Sequence, residues 1–430
     1  MKKNLVLQIF IAFLIGLAVG IILWRSDVDV STYVTWVSPF GSIFVSMLKM
    51  IVVPVILLSL IAGAASLPTN EFGKIGLRVI VWYLVTSLLA AVMGSILALG
   101  FNPGGTSTKD SWLTLADTSQ AVEVSDASNS SIVDVFINMF QNPFEALSSG
   151  NFLAIIVFSI GFGLAIKIVH DSTKDDSLKS GITSLLTILN AAKEGIFKMV
   201  DWILAYSPIG VFALTSCNFA LYGSRLFGPY IKLTTGVVLG ILCMMFIVYP
   251  VLMFITTHKN PIKFYAAAKE AILTAFVTRS SAATLPVSLT VAEEQLHIKN
   301  SLSSFALPLG ATINMDGVCV HLPMFAVLAS NMFGMELTFS TLAILVITTV
   351  LASVGAGGVP GGSLMLLFII LQNMGLDGAQ IAIIVGLALG INPILDMFET
   401  MNNVTGDLVC TYSVAAMSDM IEDEEIKEAN

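Results

Sequence analysis

Residues 386–412 read GLALGINPILDMFETMNNVTGDLVCTY, a mostly apolar stretch that nevertheless contains several acids and amides. On a helix that advances about 100° per residue, these polar side chains fall within a stripe roughly 100° wide. A charged side chain near the centre of a bilayer costs roughly 3 kcal/mol or more, so such a stripe normally faces a bundle interior, a water-filled cavity or other ionisable groups. Its carboxylates repel one another and therefore predict bound cations. The stripe consists of Asn392, Asp396, Glu399, Thr400, Asn403 and Asp407.

The composition of the chain places this helix in a membrane. Of 430 residues, 56% are hydrophobic and 11% are charged, whereas soluble domains carry about 25% charged residues. We therefore expect a polytopic membrane protein and not a solvated face on a soluble helix. The net charge of −9 comes largely from loops and the tail, and the scattered lysines and arginines offer no basic patch for nucleic acid. The apolar run from Leu5 to Trp24 is long for a signal peptide and lacks a small-residue cleavage site, which predicts a first membrane helix.

Further apolar segments approach or exceed the roughly 20 residues that a spanning helix needs. Residues 103–131 are polar and predict an exposed loop, and residues 419–430 predict an acidic, solvated tail. Lysines and arginines concentrate at alternate ends of the segments, beginning with Lys2 and Lys3, which predicts cytoplasmic N- and C-termini in the plasma membrane. The segments before residue 258 are 6–24, 43–66, 75–101, 152–170, 184–218 (interrupted by charged side chains) and 228–257.

Beyond residue 260 the apolar segments are broken at their centres. Segment 264–292 contains TRSSAATLP at 278–286, and segment 338–378 contains ASVGAGGVPGGS at 352–363. Two half-helices joined by a small, polar tip are typical of a re-entrant hairpin, and such a tip is tolerated at membrane depth only inside protein or at a cavity. Paired broken helices indicate a transporter's substrate site. The alternative is two ordinary spans with glycine-rich kinks.

Segment 303–334 carries a third break, PLGATINMDG at 308–317. Proline and glycine weaken the helix there, which frees backbone carbonyls beside the side-chain oxygens of Asn314 and Asp316. Oxygen ligands of this kind suit hard cations.

Arg279 is the only arginine in the expected core, and we interpret it as a structural charge partner for the carboxylates of the last helix in preference to a substrate contact. Ser280 and Ser281 follow at the hairpin tip, where hydroxyls and helix N–H groups could hold a carboxylate.

Other classes of protein fit the sequence less well. The glycine-rich run at 355–362 lacks the lysine and spacing of a phosphate-binding loop. Gly406-Asp407 is only a fragment of an intramembrane aspartyl hydrolase motif, so we expect no enzyme. Glycine-rich hairpins also build ion-channel filters, but a channel needs no site fitted to an amino acid.

Four motifs, TRSSAATLP, GATINMDG, the GVPGG tip and NVTGD at 403–407, occur in an order and spacing that resemble the dicarboxylate/amino acid:cation symporter family, which includes the glutamate transporters. The resemblance covers nearly the whole chain. It implies an all-α homotrimer in lipid with eight transmembrane helices per protomer, two re-entrant hairpins, inverted repeats and an elevator motion driven by co-transported Na⁺. Residues 1–257 would form six helices of the scaffold and trimer interface, of which the third and sixth belong to the transport domain. Residues 258–418 would form the transport core, and 419–430 the tail.

The resemblance also implies two or three bound Na⁺ ions. One would lie at the Gly310 carbonyl, Asn314, the Asn403 carbonyl and Asp407. A second would lie at the carbonyls of Thr312, Ser353, Val354 and Ala356, near Met315. A third would lie at Tyr83, Thr86, Ser87, Asn314 and Asp316; on their own, the first three of these residues indicate only helix packing with back-bonded hydroxyls.

For the substrate, the resemblance implies that Asp396 binds the α-amino group. Asn403 and the first hairpin tip, at Ser280 and Ser281, would bind the α-carboxylate. The second hairpin, around Val359, would form the gate. The side-chain pocket would be bounded by Val318, Glu399 and Thr400.

Three departures from the family pattern bear on the substrate. Members that carry acidic amino acids place arginine where this chain has Glu399, threonine where it has Val318, and aspartate where it has Asn392. An acidic substrate would face Glu399 without that arginine, at a cost of several kcal/mol in a site of low dielectric constant. The pattern resembles the bacterial serine/threonine symporters, and Glu399 could accept a hydrogen bond from a substrate hydroxyl.

A charge count favours the same substrate class. Four carboxylates (Asp316, Asp396, Glu399 and Asp407) and the Arg279 guanidinium leave three negative charges when all are ionised. Three Na⁺ would neutralise them and leave room for a zwitterion. If Glu399 is protonated, an anionic substrate becomes admissible; a cationic amino acid paired with ionised Glu399 would need fewer sodium ions. We therefore predict sodium-coupled uptake of a small neutral amino acid, serine or threonine first.

Overall fold

The computed structural model describes residues 3–26, 28–65, 73–105, 137, 139–149, 151–354 and 361–422. These residues form helices, and their one isolated β-bridge joins Ile298 to Ile421. The predicted all-α fold is confirmed. The first part of the chain contains α1 (Lys3–Arg25), α2 (Val30–Ala65), α3 (Gly73–Phe101), α4 (Pro143–Ser149), α5 (Phe152–Ser172), α6 (Asp176–Tyr222), α7 (Phe227–Cys243) and α8 (Tyr249–Thr257). The second part contains α9 (Pro261–Thr278), α10 (Ser281–Thr290), α11 (Asn300–Ile313), α12 (Asp316–Phe333), α13 (Phe339–Ser353), α14 (Gly362–Asn373) and α15 (Gly378–Ala416).

Seven helical runs among the described residues are long and apolar enough to cross a membrane. The longest, Asp176–Thr257, includes α6, α7 and α8 with a π-helical turn at Met244–Val248. Two apolar helices are shorter than the roughly 20 residues that a span needs: α13 has 15 residues and α14 has 12. The architecture is that of a polytopic membrane protein.

Two helices extend well beyond their predicted bounds, α2 because a neighbouring helix stabilises its first turns and α6 because its start is capped locally. Helix α2 begins at Val30 and not at residue 43, and its first turns are tied to α6. Tyr33 donates to the Ser216 hydroxyl at 2.9 Å, and Tyr206 of α6 donates to the Phe40 carbonyl at 3.3 Å. Tertiary packing of this kind overrides the weak helix preference of the serines, threonines and prolines in that stretch.

Helix α6 likewise starts at Asp176 and runs without a break through the charged residues that interrupt its apolar pattern. Asp175 caps its start by accepting hydrogen bonds from the N–H groups of Ser177 and Leu178. Lys198 and Asp201, one turn apart, form an exposed ion pair at 3.5 Å. Because Lys and Glu are good helix formers, charges on an outer face do not end the helix.

Some helices lie on the outside of the protein and others in its interior, and the helix with the polar stripe, α15, packs against the interior ones. Helices α1, α2, α5 and α6 pack against one another. Helix α15 packs against α9, α11 and α12, and also contacts α3, α10 and α14. The most apolar window of Asn300–Phe333 is 89% buried, against 17% for that of α1, so α11 and α12 lie in the interior beside α15.

The chain leaves the helical conformation near the centre of each broken segment. Arg279, between α9 and α10, has a left-handed backbone with φ 57°. Asn314 and Met315 separate α11 from α12 with non-helical ψ values of 83° and 55°. Gly361, with φ 78°, precedes α14. Residues 355–360, which include the predicted site residues Ala356 and Val359, lie outside the described part of the chain.

Candidate cation and substrate site

The break between α11 and α12 lies directly against the acidic end of α15. Asn314 donates from Nδ2 to Oδ1 of Asp407 at 2.9 Å. A methyl group on Gly310 would lie only 2.4 Å from Oδ1 of Asp407 and 2.5 Å from the Tyr83 hydroxyl. The structure therefore brings together three of the residues predicted for the first Na⁺. For the fourth, Asn403, the predicted ligand is the backbone carbonyl; its side chain accepts a hydrogen bond from Gly317 N at 2.7 Å.

Asp316 forms a second polar centre two residues after Asn314. Its Oδ1 accepts a 2.7 Å hydrogen bond from Ser87, and its Oδ2 accepts one of the same length from Tyr249. Thr86 contacts Oδ1 of Asn314 at 3.4 Å. The third predicted Na⁺ has five expected ligands. Four of them are in contact as two pairs, Thr86 with Asn314 and Ser87 with Asp316. The fifth, Tyr83, donates its hydroxyl to the Ala306 carbonyl at 2.9 Å.

Tyr249 was not predicted as a site residue. It is completely buried in α8, and its hydroxyl also lies 3.5 Å from the Asn402 carbonyl. A single tyrosine in an apolar span is commonly an interfacial anchor, so nothing in the sequence assigned Tyr249 to the site. A buried tyrosine hydroxyl usually has a hydrogen-bond partner, and that rule was the only available signal.

The residues predicted to bind the second Na⁺ make no hydrogen bonds to one another within the described part of the chain. Thr312 donates its hydroxyl to the Leu309 carbonyl at 2.7 Å, and Ser353 donates to the Val350 carbonyl at 2.8 Å. Each hydroxyl is therefore bonded within its own helix. The predicted ligands of this Na⁺ are the backbone carbonyls of these residues, not their hydroxyls. Met315 receives a 3.3 Å contact from Nδ2 of Asn403, which ties its sulfur to the stripe of α15.

Asp396 and Arg279 form a buried ion pair between α15 and the tip of the α9–α10 pair. Nε and Nη2 of Arg279 lie 3.0 Å and 2.9 Å from Oδ2 of Asp396, and Gly361 N reaches the same oxygen at 3.3 Å. Arg279 and Asp396 are 5% and 4% exposed, so removing either partner would leave an uncompensated buried charge. In the described part of the chain, no hydrogen bond is made to Oδ1 of Asp396, and this oxygen can take another donor.

Glu399 has a partner that the sequence analysis missed. Its Oε1 contacts Nδ1 of His321 from α12, and both side chains are buried. The two helices approach closely at Gly317, where a methyl group would lie 2.6 Å from the Glu399 backbone. An ionisable residue inside an apolar span is a candidate functional residue by default, and that rule could have identified His321.

The other residues considered for the substrate site are buried or make hydrogen bonds within the protein. Ser281, Val318 and Thr400 are buried. Ser280 caps α10, because its side chain accepts a hydrogen bond from Ala283 N at 3.2 Å. Asn392 accepts one from Ser363 of α14 at 3.4 Å.

The chemistry of these groups suits a hard monovalent cation. Among the described residues, no cluster of three or more His, Cys, Asp and Glu side chains could hold a metal ion. The two polar centres instead combine a carboxylate with amide, hydroxyl and carbonyl oxygens, which are ligands for hard cations and not for soft transition metals.

Buried carboxylates between discontinuous helices of a polytopic protein are typical of secondary transporters. The sequence profile of the Sodium:dicarboxylate symporter family matches residues 5–417. The chain belongs to this family, which confirms the resemblance of its motifs. Because the family consists of transporters, membership also supports the expectation that the protein is not an enzyme.

Relatives of different specificity are similarly distant. The chain is 30% identical to "Excitatory amino acid transporter 3" of Mus musculus, over 96% of this chain and 85% of the relative. It is 29% identical to "Proton/sodium-glutamate symport protein" of Bacillus subtilis, over 97% and 94% of the two chains. It is also 29% identical to "Serine/threonine transporter SstT" of Bifidobacterium adolescentis, over 93% and 88%. Overall similarity supports symport of an amino acid with sodium. It does not identify the substrate, which has to be inferred from the residues of the site.

Proposed function

We propose that the protein is a sodium-coupled symporter that takes up a small neutral amino acid, with serine and threonine as the first candidates. The observation that carries this proposal is the pairing of charges in the site. The Arg279 guanidinium is bound to Asp396, whereas the hydrogen-bond partner of Glu399 among the described residues is the imidazole of His321. A second carboxylate, brought in by an acidic substrate, would meet Glu399 without a guanidinium to balance it.

In this proposal, Oδ1 of Asp396 binds the α-amino group and Asn403 and the tip at Ser280 and Ser281 bind the α-carboxylate. Val318, Glu399 and Thr400 surround the side chain, and Val359 belongs to the gate. This assignment is supported by the position of Asp396 and Glu399 on adjacent turns of one buried stripe.

Two or three Na⁺ ions would be carried with each substrate. The contact of Asn314 with Asp407 and the contacts of Ser87 and Tyr249 with Asp316 support two cation positions. The third position, at the carbonyls of Thr312, Ser353, Val354 and Ala356, rests on the family pattern. Sodium bound at these places would offset the carboxylates and link substrate uptake to the ion gradient.

The transport architecture follows the family. We propose eight transmembrane helices with two re-entrant hairpins, α9–α10 and α13–α14, arranged as inverted repeats in a homotrimer. Residues 1–257 would supply the scaffold and two helices of the transport domain, residues 258–418 the moving core, and both termini would face the cytoplasm. The short lengths of α13 and α14 support a hairpin that enters and leaves on one side.

A second candidate is a sodium- or proton-coupled symporter for acidic amino acids or dicarboxylates, in which Glu399 is protonated. The contact of Glu399 with a histidine favours it, because that pair can hold an additional proton, and a relative bears the name of a proton/sodium-glutamate symporter. An ion channel is the remote alternative.

Uptake of labelled serine, threonine, aspartate and lysine into proteoliposomes, with and without an inward Na⁺ gradient at two pH values, tests the proposal. Accumulation of serine or threonine that requires the gradient, with little aspartate, is the expected result. Aspartate uptake that rises at low pH would replace the neutral substrate with the acidic one. A conductance without accumulation would indicate a channel.

A further inference from the structure

His321 and Glu399 form a buried pair at the contact between α12 and α15. His321 is 0% exposed and Glu399 is 1% exposed. Gly317 lies one turn before His321 in α12, and its lack of a side chain lets the backbone of Glu399 approach. The glutamate side chain can therefore extend along α12 and place Oε1 against Nδ1 of the imidazole.

One oxygen of this carboxylate has no hydrogen-bond partner among the described residues. Oε2 of Glu399 and Nε2 of His321 are both buried, and neither has a hydrogen-bond partner within the described ranges. Buried polar atoms are almost always paired, and leaving one unpaired is destabilising. Because His321 occupies Oε1, the acceptor that can still be satisfied by an incoming group is Oε2.

The neighbours of Glu399 on its helix suggest what that group is. Asp396 lies three positions before it and Asn403 four positions after it, so the three side chains share one face of α15. If Asp396 holds the α-amino group of a substrate, the substrate side chain starts one turn from Glu399. An acceptor at that place favours a side chain that carries a hydrogen-bond donor over one that does not.

We infer that His321 is a specificity-determining positioning residue, which holds Oε1 of Glu399 so that Oε2 accepts a hydrogen bond from a hydroxyl on the substrate side chain. The inference rests on the proposed function, and it narrows the substrate class to amino acids with a β-hydroxyl group. Alanine, which has the size of serine without the hydroxyl, is the natural comparison. A site built to bond a hydroxyl rejects the analogue that lacks it, because the buried acceptor stays unpaired.

The test compares serine with alanine in proteoliposomes under the same inward Na⁺ gradient, and measures kcat/KM for each. His321→Phe keeps a ring of similar size without its hydrogen bond, and His321→Asn restores an N–H near the position of Nδ1. Glu399→Met removes the acceptor, and the double variant His321→Phe/Glu399→Met completes a cycle. His258→Phe, at an exposed position after α8, is the matched histidine control.

We expect the wild-type protein and His258→Phe to prefer serine over alanine by about tenfold or more, the range of a hydrogen bond to a charged group. His321→Phe should lose most of this preference, and His321→Asn should recover part of it. The double variant should lose no more preference than Glu399→Met alone, because His321 acts through Glu399.

Three results would overturn the inference in distinguishable ways. If His321→Phe lowers serine and alanine transport alike and keeps the preference, the histidine is only structural. Should this variant fail to fold, an unchanged preference in Glu399→Met overturns the inference, because the acceptor that His321 would position is then absent. If the wild-type protein takes up both neutral amino acids equally well, Oε2 binds no hydroxyl although the proposed function stands. If it takes up aspartate and neither serine nor alanine, both the inference and the proposed function fail.

Discussion

Asn314 and Asp407 are joined by a 2.9 Å hydrogen bond although they are 93 positions apart in the chain. One residue stands where the helical run α11–α12 is broken, and the other ends the polar stripe of α15. The contact fixes the break against the stripe, so a cation that replaces or joins this bond would contact both segments at once.

Asp407→Asn should sharply weaken the dependence of uptake on sodium. The amide keeps the shape of the side chain but removes the negative charge that a cation needs. We expect the Na⁺ concentration for half-maximal uptake to rise about tenfold or more, since a loss of about 1.4 kcal/mol is a factor of ten. Asp201→Asn, on the exposed face of α6, serves as the control. An unchanged sodium titration of Asp407→Asn would exclude Asp407 as a sodium ligand.

Tyr249→Phe should destabilise the protein by about 1–3 kcal/mol, because it leaves Oδ2 of buried Asp316 without its 2.7 Å donor. Thermal unfolding in detergent, in the absence of sodium, measures this effect. Tyr206→Phe removes a hydroxyl that reaches an exposed carbonyl at 3.3 Å, and its midpoint should shift much less. Equal shifts of the unfolding midpoint in the two variants would mean that the bond from Tyr249 to Asp316 contributes no more to stability than the exposed bond of Tyr206.

Gly317→Ala should separate α12 from α15, because the added methyl group would lie 2.6 Å from the backbone of Glu399. Backbone atoms cannot yield as a flexible side chain does, so we expect both the unfolding temperature and sodium-driven uptake to fall. Gly195→Ala, in the middle of α6, has open space around it. That change should be neutral or stabilise the helix by about 0.5–1 kcal/mol. Normal uptake by Gly317→Ala would show that the helices tolerate a wider separation.

Glu399→Arg should shift preference from serine and threonine towards aspartate and glutamate. The substitution places a guanidinium where the acidic-substrate members of the family carry one, and it removes a like charge from the pocket. Competition of unlabelled aspartate against labelled serine measures the change. Glu194→Arg, at an exposed position of α6, controls for the altered net charge. Serine uptake that survives untouched in Glu399→Arg would place Glu399 outside the pocket.

Sequence reasoning predicted those parts of the site that a single helix or motif encodes. The stripe from Asn392 to Asp407 follows from helical periodicity alone. The pairing of Arg279 with a carboxylate of α15 was expected because no other arginine lies in the core. The breaks at residues 279 and 314 were expected from serine, proline and glycine at the centres of apolar segments.

The partners supplied by other helices could not be predicted in this way. Tyr249 and His321 each lie in an apolar span without a polar stripe of their own, and their roles depend on which helix faces them. The same limit applies to the start of α2, which is held by contacts with α6. The start of α6 depends on a local cap at Asp175, which the apolar pattern alone does not reveal. Hydrophobic periodicity shows which face of a single helix is polar. It does not show which other helix packs against that face, and these contacts depend on that.

The left-handed backbone of Arg279 has a practical consequence. A non-glycine residue in this conformation costs about 1–2 kcal/mol, and the ion pair with Asp396 keeps it there. Replacing the arginine alone would strand a buried carboxylate, but Arg279→Gly combined with Asp396→Asn would remove strain and charge together. Removing one partner of a buried ion pair is strongly destabilising because it leaves an uncompensated charge, and the double variant avoids that cost. It should therefore be more stable than the variant that lacks Arg279 alone and should not transport, which suits experiments that need the carrier arrested.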